Sequence, residues 1–299
     1  MAPDSARLRC MKREISVSTS RFDAVTQTAR WTAAARARES RRTDRLFDDP
    51  LAELLAGEEG AALLKHFHTS RAADEGNPFL SIRTRWFDDF IEGAVTADRC
   101  QVVGLGAGLD TRAYRLEWPE HTVLFEADQP SLLSYKEQVL DAHGASPRCD
   151  CRRLHLDLAG DWDSLLTNAG FDPELPTVWF AEGLLFYLPE ELAHQVLSRA
   201  AALSAPGSVL AADLIGTGIF KMPYTQLFLR KLQDADSPWR FGTDDPAGFV
   251  ENCGWRVTIA TEPGLPGAQY GRWTPQAVPQ GLTNLPRSFL VSAAKPSDS

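Results

Sequence analysis

The sequence is poor in the features that would take it to a membrane, a nucleic acid or an oxidising compartment. No run approaches the ~18 apolar residues that a membrane-spanning helix needs, so no membrane association is predicted. Positive charge is not in excess. Lys and Arg number 31 against 40 Asp and Glu, a formal net charge of -9 with pI near 5.2. A phosphate-binding face needs the opposite balance, which excludes nucleic acid as the main partner. The five cysteines, Cys10, Cys100, Cys149, Cys151 and Cys253, are scattered. An odd number without a signal segment reads as the reduced thiols of a cytoplasmic protein. Cys149 and Cys151 have no second Cys or His pair at ligand spacing, so no metal site is expected. Met1 to Ile15 carries charges without an apolar core and reads as a disordered tail rather than a secretion signal. What remains is ordinary for a globular chain of 299 residues: 43% hydrophobic and 24% charged.

The most informative stretch is Val102-Val-Gly-Leu-Gly-Ala-Gly-Leu-Asp-Thr-Arg112. Two valines make a short buried strand, and Gly104, Gly106 and Gly108 follow at alternate positions, where a missing Cβ lets the chain turn sharply and lets a ligand lie against it. The next strand, Thr122-Val-Leu-Phe-Glu-Ala-Asp128, ends in an acid about 20 residues beyond the loop, the distance that places a carboxylate under a ribose diol. A dehydrogenase fingerprint wants a glycine or alanine opening the helix where this chain has Leu109 or Asp110. The missing phosphate-cradling glycine disfavours NAD and an oxidoreductase, and favours a cofactor with a ribose and no phosphate, of which S-adenosylmethionine is the common one.

Those segments, together with Phe125-Glu-Ala-Asp-Gln-Pro130 and Trp179-Phe-Ala-Glu-Gly-Leu-Leu-Phe-Tyr-Leu188, resemble the leucine carboxyl methyltransferase family. This class I methyltransferase family includes carboxyl methyltransferases acting on natural products and peptides. The resemblance runs from about Thr28 to Lys295. It implies S-adenosylmethionine as cofactor, and a carboxylate of a small molecule or peptide as the methyl acceptor; a hydroxyl acceptor is the alternative.

From Gln101 onward, strands expected near 101–105, 122–127, 151–156, 177–181, 207–213, 255–260 and 287–293 alternate with helices at Pro130 to His143, Asp161 to Ala169 and Pro189 to Leu203. Such alternation specifies an α/β fold, a seven-stranded, mostly parallel Rossmann-like sheet covered on both faces, with ligands at the carboxyl ends of its strands. Residues 16–97 are expected to form a helical cover, including helices at Val25 to Glu39, at Leu46 to Gly57 with Asp49 as its cap, and around Ser81 to Ile91. Residues 98–299 form the core. An apolar insertion at about 215–245, helical from Gly216 to Leu232, is read as a lid, and the Gly/Pro-rich Glu262 to Pro286 as a hairpin.

The expected cofactor residues are Gly104, Gly106, Gly108, Asp128 and Gln129 at the loop and ribose, and Asp157 with the Leu158 amide at the adenine. Asp157 as a cap of the following helix is the competing reading. Glu182, an acid at the mouth of an apolar strand, needs a cation, and the methionyl ammonium supplies one. Arg83 and Arg85 lie two apart on a helix and face different ways. The family motif puts Arg83 in the site to pair with the methionyl carboxylate, and Arg85 is left for surface ion pairs with Asp88 or Asp89. A carboxylate acceptor needs no general base, in keeping with the lack of a well-placed histidine. It needs a cation, for which Arg36, Arg38, Arg112 and Arg240 are candidates; the resemblance favours the pair on the N-terminal helix, Arg36 and Arg38, and Tyr187 is a further acceptor contact.

Overall fold

The computed structural model describes residues 24–67, 78–273, 282 and 284–297; the expected tail, Met1 to Ile15, lies outside them. Seven strands form one sheet: β1 (Gln101–Leu105), β2 (Val123–Asp128), β3 (Asp150–His155), β4 (Thr177–Ala181), β5 (Val209–Ile215), β6 (Arg256–Thr261) and β7 (Ser288–Ala294), in the order β3-β2-β1-β4-β5-β7-β6. The first five run parallel, and β7 lies antiparallel to both β5 and β6. All seven fall within two residues of where alternation placed them.

The physical cause is burial on two faces. β1 and β4 are buried along their whole length, so their side chains must be apolar on both sides and strict alternation disappears. One face packs Val103, Phe125, Trp179 and Leu210 against α7 (Trp162–Asn168), α8 (Glu190–Ala202) and α10 (Pro246–Asn252). The other packs Val102, Leu124, Val178 and Phe180 against α4 (Phe79–Ala94) and α6 (Pro130–Ala142). α5 (Arg112–Arg115) is the single turn that closes the glycine loop.

Ahead of β1 stand α1 (Ala24–Ser40), α2 (Ala52–Ala56), α3 (Gly60–Phe67) and α4. The helix expected over Leu46 to Gly57 shrinks to α2, and Asp49 does not cap it: its carboxylate accepts from Arg36 Nε at 2.8 Å and Thr111 Oγ at 2.7 Å. An acid with two such donors is worth more as a buried tie than as a cap. The insertion after β5 is also less regular than its apolar pattern. Two 3-10 turns, Thr217–Phe220 and Pro223–Thr225, precede α9 (Gln226–Asp234), because Pro223 has no amide to continue a helix through it. α9 packs on α1 and α3 through Trp31, Phe67, Leu232, Phe228 and Trp239. The Gly/Pro-rich segment joins β6 to its antiparallel neighbour β7; its part 262–273 folds into turns, with Tyr270 donating to Asp89 at 2.9 Å, and 274–281 and 283 lie outside the described residues.

Candidate active site

The carboxyl ends of β1, β2 and β4, the inner face of α1 and the end of the insertion enclose a cavity of about 340 Å³, within the ~300–1,000 Å³ of small-molecule sites. It opens over the glycine loop. Gly106 (φ 65°) and Gly108 (φ 49°) both adopt left-handed backbone, and a Cβ on Gly106 would come within 2.8 Å of Leu184. Only glycine fits there without strain. Gly104 differs: it lies inside β1, off the cavity wall, and a Cβ on it would run into the Phe180 ring at 2.4 Å. Its small size serves packing between β1 and β4, which spacing alone could not distinguish from a ligand contact.

Asp128, ending β2, lines the cavity. Its Oδ2 accepts from the Gly108 amide and its Oδ1 from the Gln129 amide, both at 2.6 Å. Burial raises its pKa against the pull of those amides and of Lys136. Each oxygen keeps a further lone pair for a donor in the cavity. Gln129 and Leu132, at the start of α6, form the adjoining wall. Asp157 and Leu158 follow β3 at the same sheet edge but outside the cavity lining. Asp157 is exposed and turns one oxygen to the Ala159 amide at 2.9 Å; it does not cap α7, whose N-cap is Asp161.

The opposite end is a buried charge network. Arg83 donates to Glu182 at 3.0 Å and to Asp213 at 3.1 Å. Arg112, 1% exposed, reaches Glu182 and Asp88, each at 2.7 Å, and Asp110. Arg115 grips Asp88 with two 2.7 Å bonds. Burial opposes the Glu182 charge, but Arg112 and Arg83 outweigh it and hold the carboxyl below its usual range. Asp110, against the same opposition, is held to about 2 by Arg112, Lys136 and Arg115. Glu182 thus already has two guanidinium partners, supplied by α4 and α5, where a single cofactor ammonium was expected. Arg112 is equally committed, which removes it as an acceptor cation. Arg85 pairs with Asp89 at 2.7 Å, away from the cavity; Arg83 lines it.

Arg36 also lines the cavity, yet its donors go to Asp49 at 2.8 Å and to the Leu109 carbonyl at 2.6 Å. It ties α1 to the glycine loop rather than standing open to an acceptor. Arg38 is not on the wall, and burial lowers its pKa. Arg240 is on the wall, and among the described residues its guanidinium has no hydrogen bond or ion pair. Tyr187 stands on the wall, its phenol pushed up by burial. The site also contains residues that sequence reading passed over. Thr28 and Thr32, one turn apart on α1, present one face to the cavity. Asp213, an acid inside the apolar β5, carried the same signal that picked out Glu182.

The donor set fits an adenosyl cofactor: a turn without side chains, and beside it a buried carboxylate with open lone pairs for a diol. Comparison with known proteins agrees. The leucine carboxyl methyltransferase family profile matches residues 29–201. A protein of Saccharopolyspora erythraea, provisionally named an S-adenosyl-L-methionine-dependent methyltransferase, is 41% identical over 254 residues, 77% of this chain and 83% of its own length. One of Rhodococcus jostii, similarly named, is 37% identical over 286 residues, 90% of this chain and 95% of its own. In fold, the chain is similar to a DUF574 family protein of Streptomyces avermitilis (TM-score 0.60, 17% identity, 90% of this chain and 97% of that one). It is also similar to a provisionally named methyltransferase of Thermobifida fusca (TM-score 0.57, 15% identity, 90% and 94%). The chain therefore belongs to the leucine carboxyl methyltransferase family and is a methyltransferase that uses S-adenosylmethionine.

Proposed function

We propose that the protein methylates a carboxylate of a small-molecule natural product or peptide to its methyl ester. The observation that carries this reading is an open cation, Arg240, on a cavity wall where, among the described residues, Asp236 is the carboxylate left without a partner. Among the described residues lining the cavity there is no His, Lys or Cys, the inner carboxylates are held by arginines or amides, and Arg240 is unpaired. A carboxylate is ionised at neutral pH and needs only to be aligned, whereas a hydroxyl must lose its proton to a base in the site. Burial pushes the Tyr187 phenol up, so it does not serve as that base.

When bound, S-adenosylmethionine supplies an electrophilic methyl: a carboxylate oxygen forms the new C–O bond, the sulfur recovers the electron pair of the S–C bond, and no proton moves. The chain's part is to hold and orient. Gly106 and Gly108 give the turn, Asp128 and Gln129 the ribose contact, and Asp157 with the Leu158 amide the adenine edge. Glu182 turns the lone pairs that Arg83 and Arg112 leave open to the methionyl ammonium, and Arg83 offers the methionyl carboxylate its Nη2, which has no partner among the described residues. Arg240 draws the acceptor carboxylate in, with Tyr187 beside it, while α1 to α4 serve as a cover and the insertion after β5 as a lid that excludes water.

The test is a panel of carboxylic acids and phenols incubated with enzyme and methyl donor and read by mass spectrometry. Carboxylic acids are expected to gain the mass of one CH2, removed again by mild base. A base-stable product formed from the phenols alone would overturn the reading in favour of hydroxyl methylation.

A further inference from the structure

Two charges on the cavity wall are left unanswered by the chain, and both stand on the insertion after β5. The inner charges are paired with one another or with main-chain amides. Asp236 and Arg240 line the same cavity, are exposed at its mouth, and have no side-chain hydrogen bond or ion pair among the described residues, with each other included.

Asp236 is moreover placed where neither its backbone nor its charge is favoured. It follows α9 with φ 48°. Its amide bonds to the Gln233 carbonyl and the Ser237 amide to the Leu232 carbonyl, both at 2.9 Å, a helix-closing pattern whose left-handed residue is usually glycine. The negative charge also faces the carbonyl end of the helix, the end that favours cations. Two local costs converge on one residue, and that residue faces the cavity; strain kept at such a place points to a role in binding. Arg240 is fixed nearby by its main-chain amide, which donates to the Phe186 carbonyl at 2.7 Å next to Tyr187.

We propose that the methyl acceptor is an amino-carboxylate, its carboxylate received by Arg240 and a cationic amine of the same molecule by Asp236. This rests on the carboxylate reading above and narrows it. A cavity of about 340 Å³ must hold the cofactor, so the acceptor presents its reacting carboxylate from the mouth, where the two charges stand. An acceptor carrying both signs answers both residues. A simple acid would satisfy Arg240 and leave Asp236 facing a like charge, which is discrimination by repulsion.

The test compares leucine, phenylalanine and leucyl-leucine with their N-acetyl counterparts, scoring base-labile methyl ester by mass spectrometry, in the wild type, Asp236→Asn and Asp236→Gly. The wild type is expected to favour each free amine about tenfold in kcat/KM, expressed in KM, the size of one charge-assisted contact. Both variants should bring that ratio close to one with cofactor affinity unchanged. Asp236→Gly should keep or raise Tm, because glycine relieves the left-handed φ; a residue present only for the fold would not separate stability from selectivity in this way. Equal turnover of amine and N-acetyl partners by the wild type overturns the proposal and leaves carboxyl methylation standing. A preference that persists in both variants, or a parallel loss of cofactor affinity, also overturns it. No ester from any acid would remove the carboxylate reading and this inference together.

Discussion

Asp128 is the residue on which the cofactor assignment turns, and its protonation state makes that assignment measurable. Burial raises its pKa, opposed by the Gln129 and Gly108 amides. The folded chain therefore binds this proton more tightly than the unfolded one, so the ionised side chain costs stability at neutral pH and the cost is relieved as pH falls through the raised value. Binding has the opposite sign, because a ribose diol donates and only the carboxylate accepts both hydroxyls. Cofactor affinity by calorimetry is expected to hold near neutrality and to decline on acidification from a pH above the ordinary carboxylate range of about 4. Asp128→Asn should bind at least about a hundredfold more weakly at neutral pH, the worth of two charge-assisted bonds, with a shallower acid decline. Wild-type affinity that stays flat down to about pH 4 would remove the ribose assignment.

At the scale of elements, what could be read in advance follows from where burial repeats. β1, β2, β4 and β5 are short, largely apolar runs bounded by turn residues, and their ends could be read to within two residues because a strand buried on both faces admits a charge only where a partner answers it, as Lys136 answers Glu126 and Arg83 answers Asp213. α3 and α10 were not anticipated. α2 was drawn too long because Asp49 carries the chemistry of a cap but is used by Arg36 and Thr111, contacts 13 and 62 residues away that no local pattern encodes. The same limit applies in the site. Asp128 and Glu182 stand out as acids ending apolar strands, whereas the partners of Glu182 come from α4 and α5, and Asp236 owes its position to the end of a helix broken by Pro223. Gly104 shows a motif position whose purpose only packing reveals. With a Cβ 2.4 Å from the Phe180 ring, Gly104→Ala is expected to cost about 1–3 kcal/mol of stability by overpacking, seen as a lower Tm, while the folded fraction binds cofactor with normal affinity. Lost affinity at unchanged Tm would return Gly104 to the cofactor loop.

For the whole molecule, the cavity lies where three separately built parts meet: the sheet with its glycine loop, the helices before β1, and the insertion after β5. Specific ties join them. Arg36 reaches from α1 to the Leu109 carbonyl at 2.6 Å and to Asp49 at 2.8 Å, and Asp49 in turn holds Thr111. Arg272 binds Glu39 at 2.7 Å, and the aromatic cluster of Trp31, Phe67, Phe228 and Trp239 joins α1 and α3 to α9. A ligand that settles the glycine loop should therefore steady α1, since Leu109 and Thr111 are part of that loop and carry the far ends of the tie. At a hundred times Kd, cofactor adds ~2.7 kcal/mol to the stability of the state that binds it. Hydrogen exchange should show this protection spreading from the loop into Ala24–Ser40. Arg36→Met leaves Asp49, whose side chain is fully buried, without its cation and should cost ~3–5 kcal/mol. The milder Asp49→Asn keeps an acceptor for both partners but weakens the ion pair. In either variant cofactor should still protect residues 104–112, and α1 should no longer follow. Protection of α1 that is absent in the wild type, or undiminished in both variants, would mean that the helix and the loop respond to cofactor independently and that the Arg36 tie is packing alone.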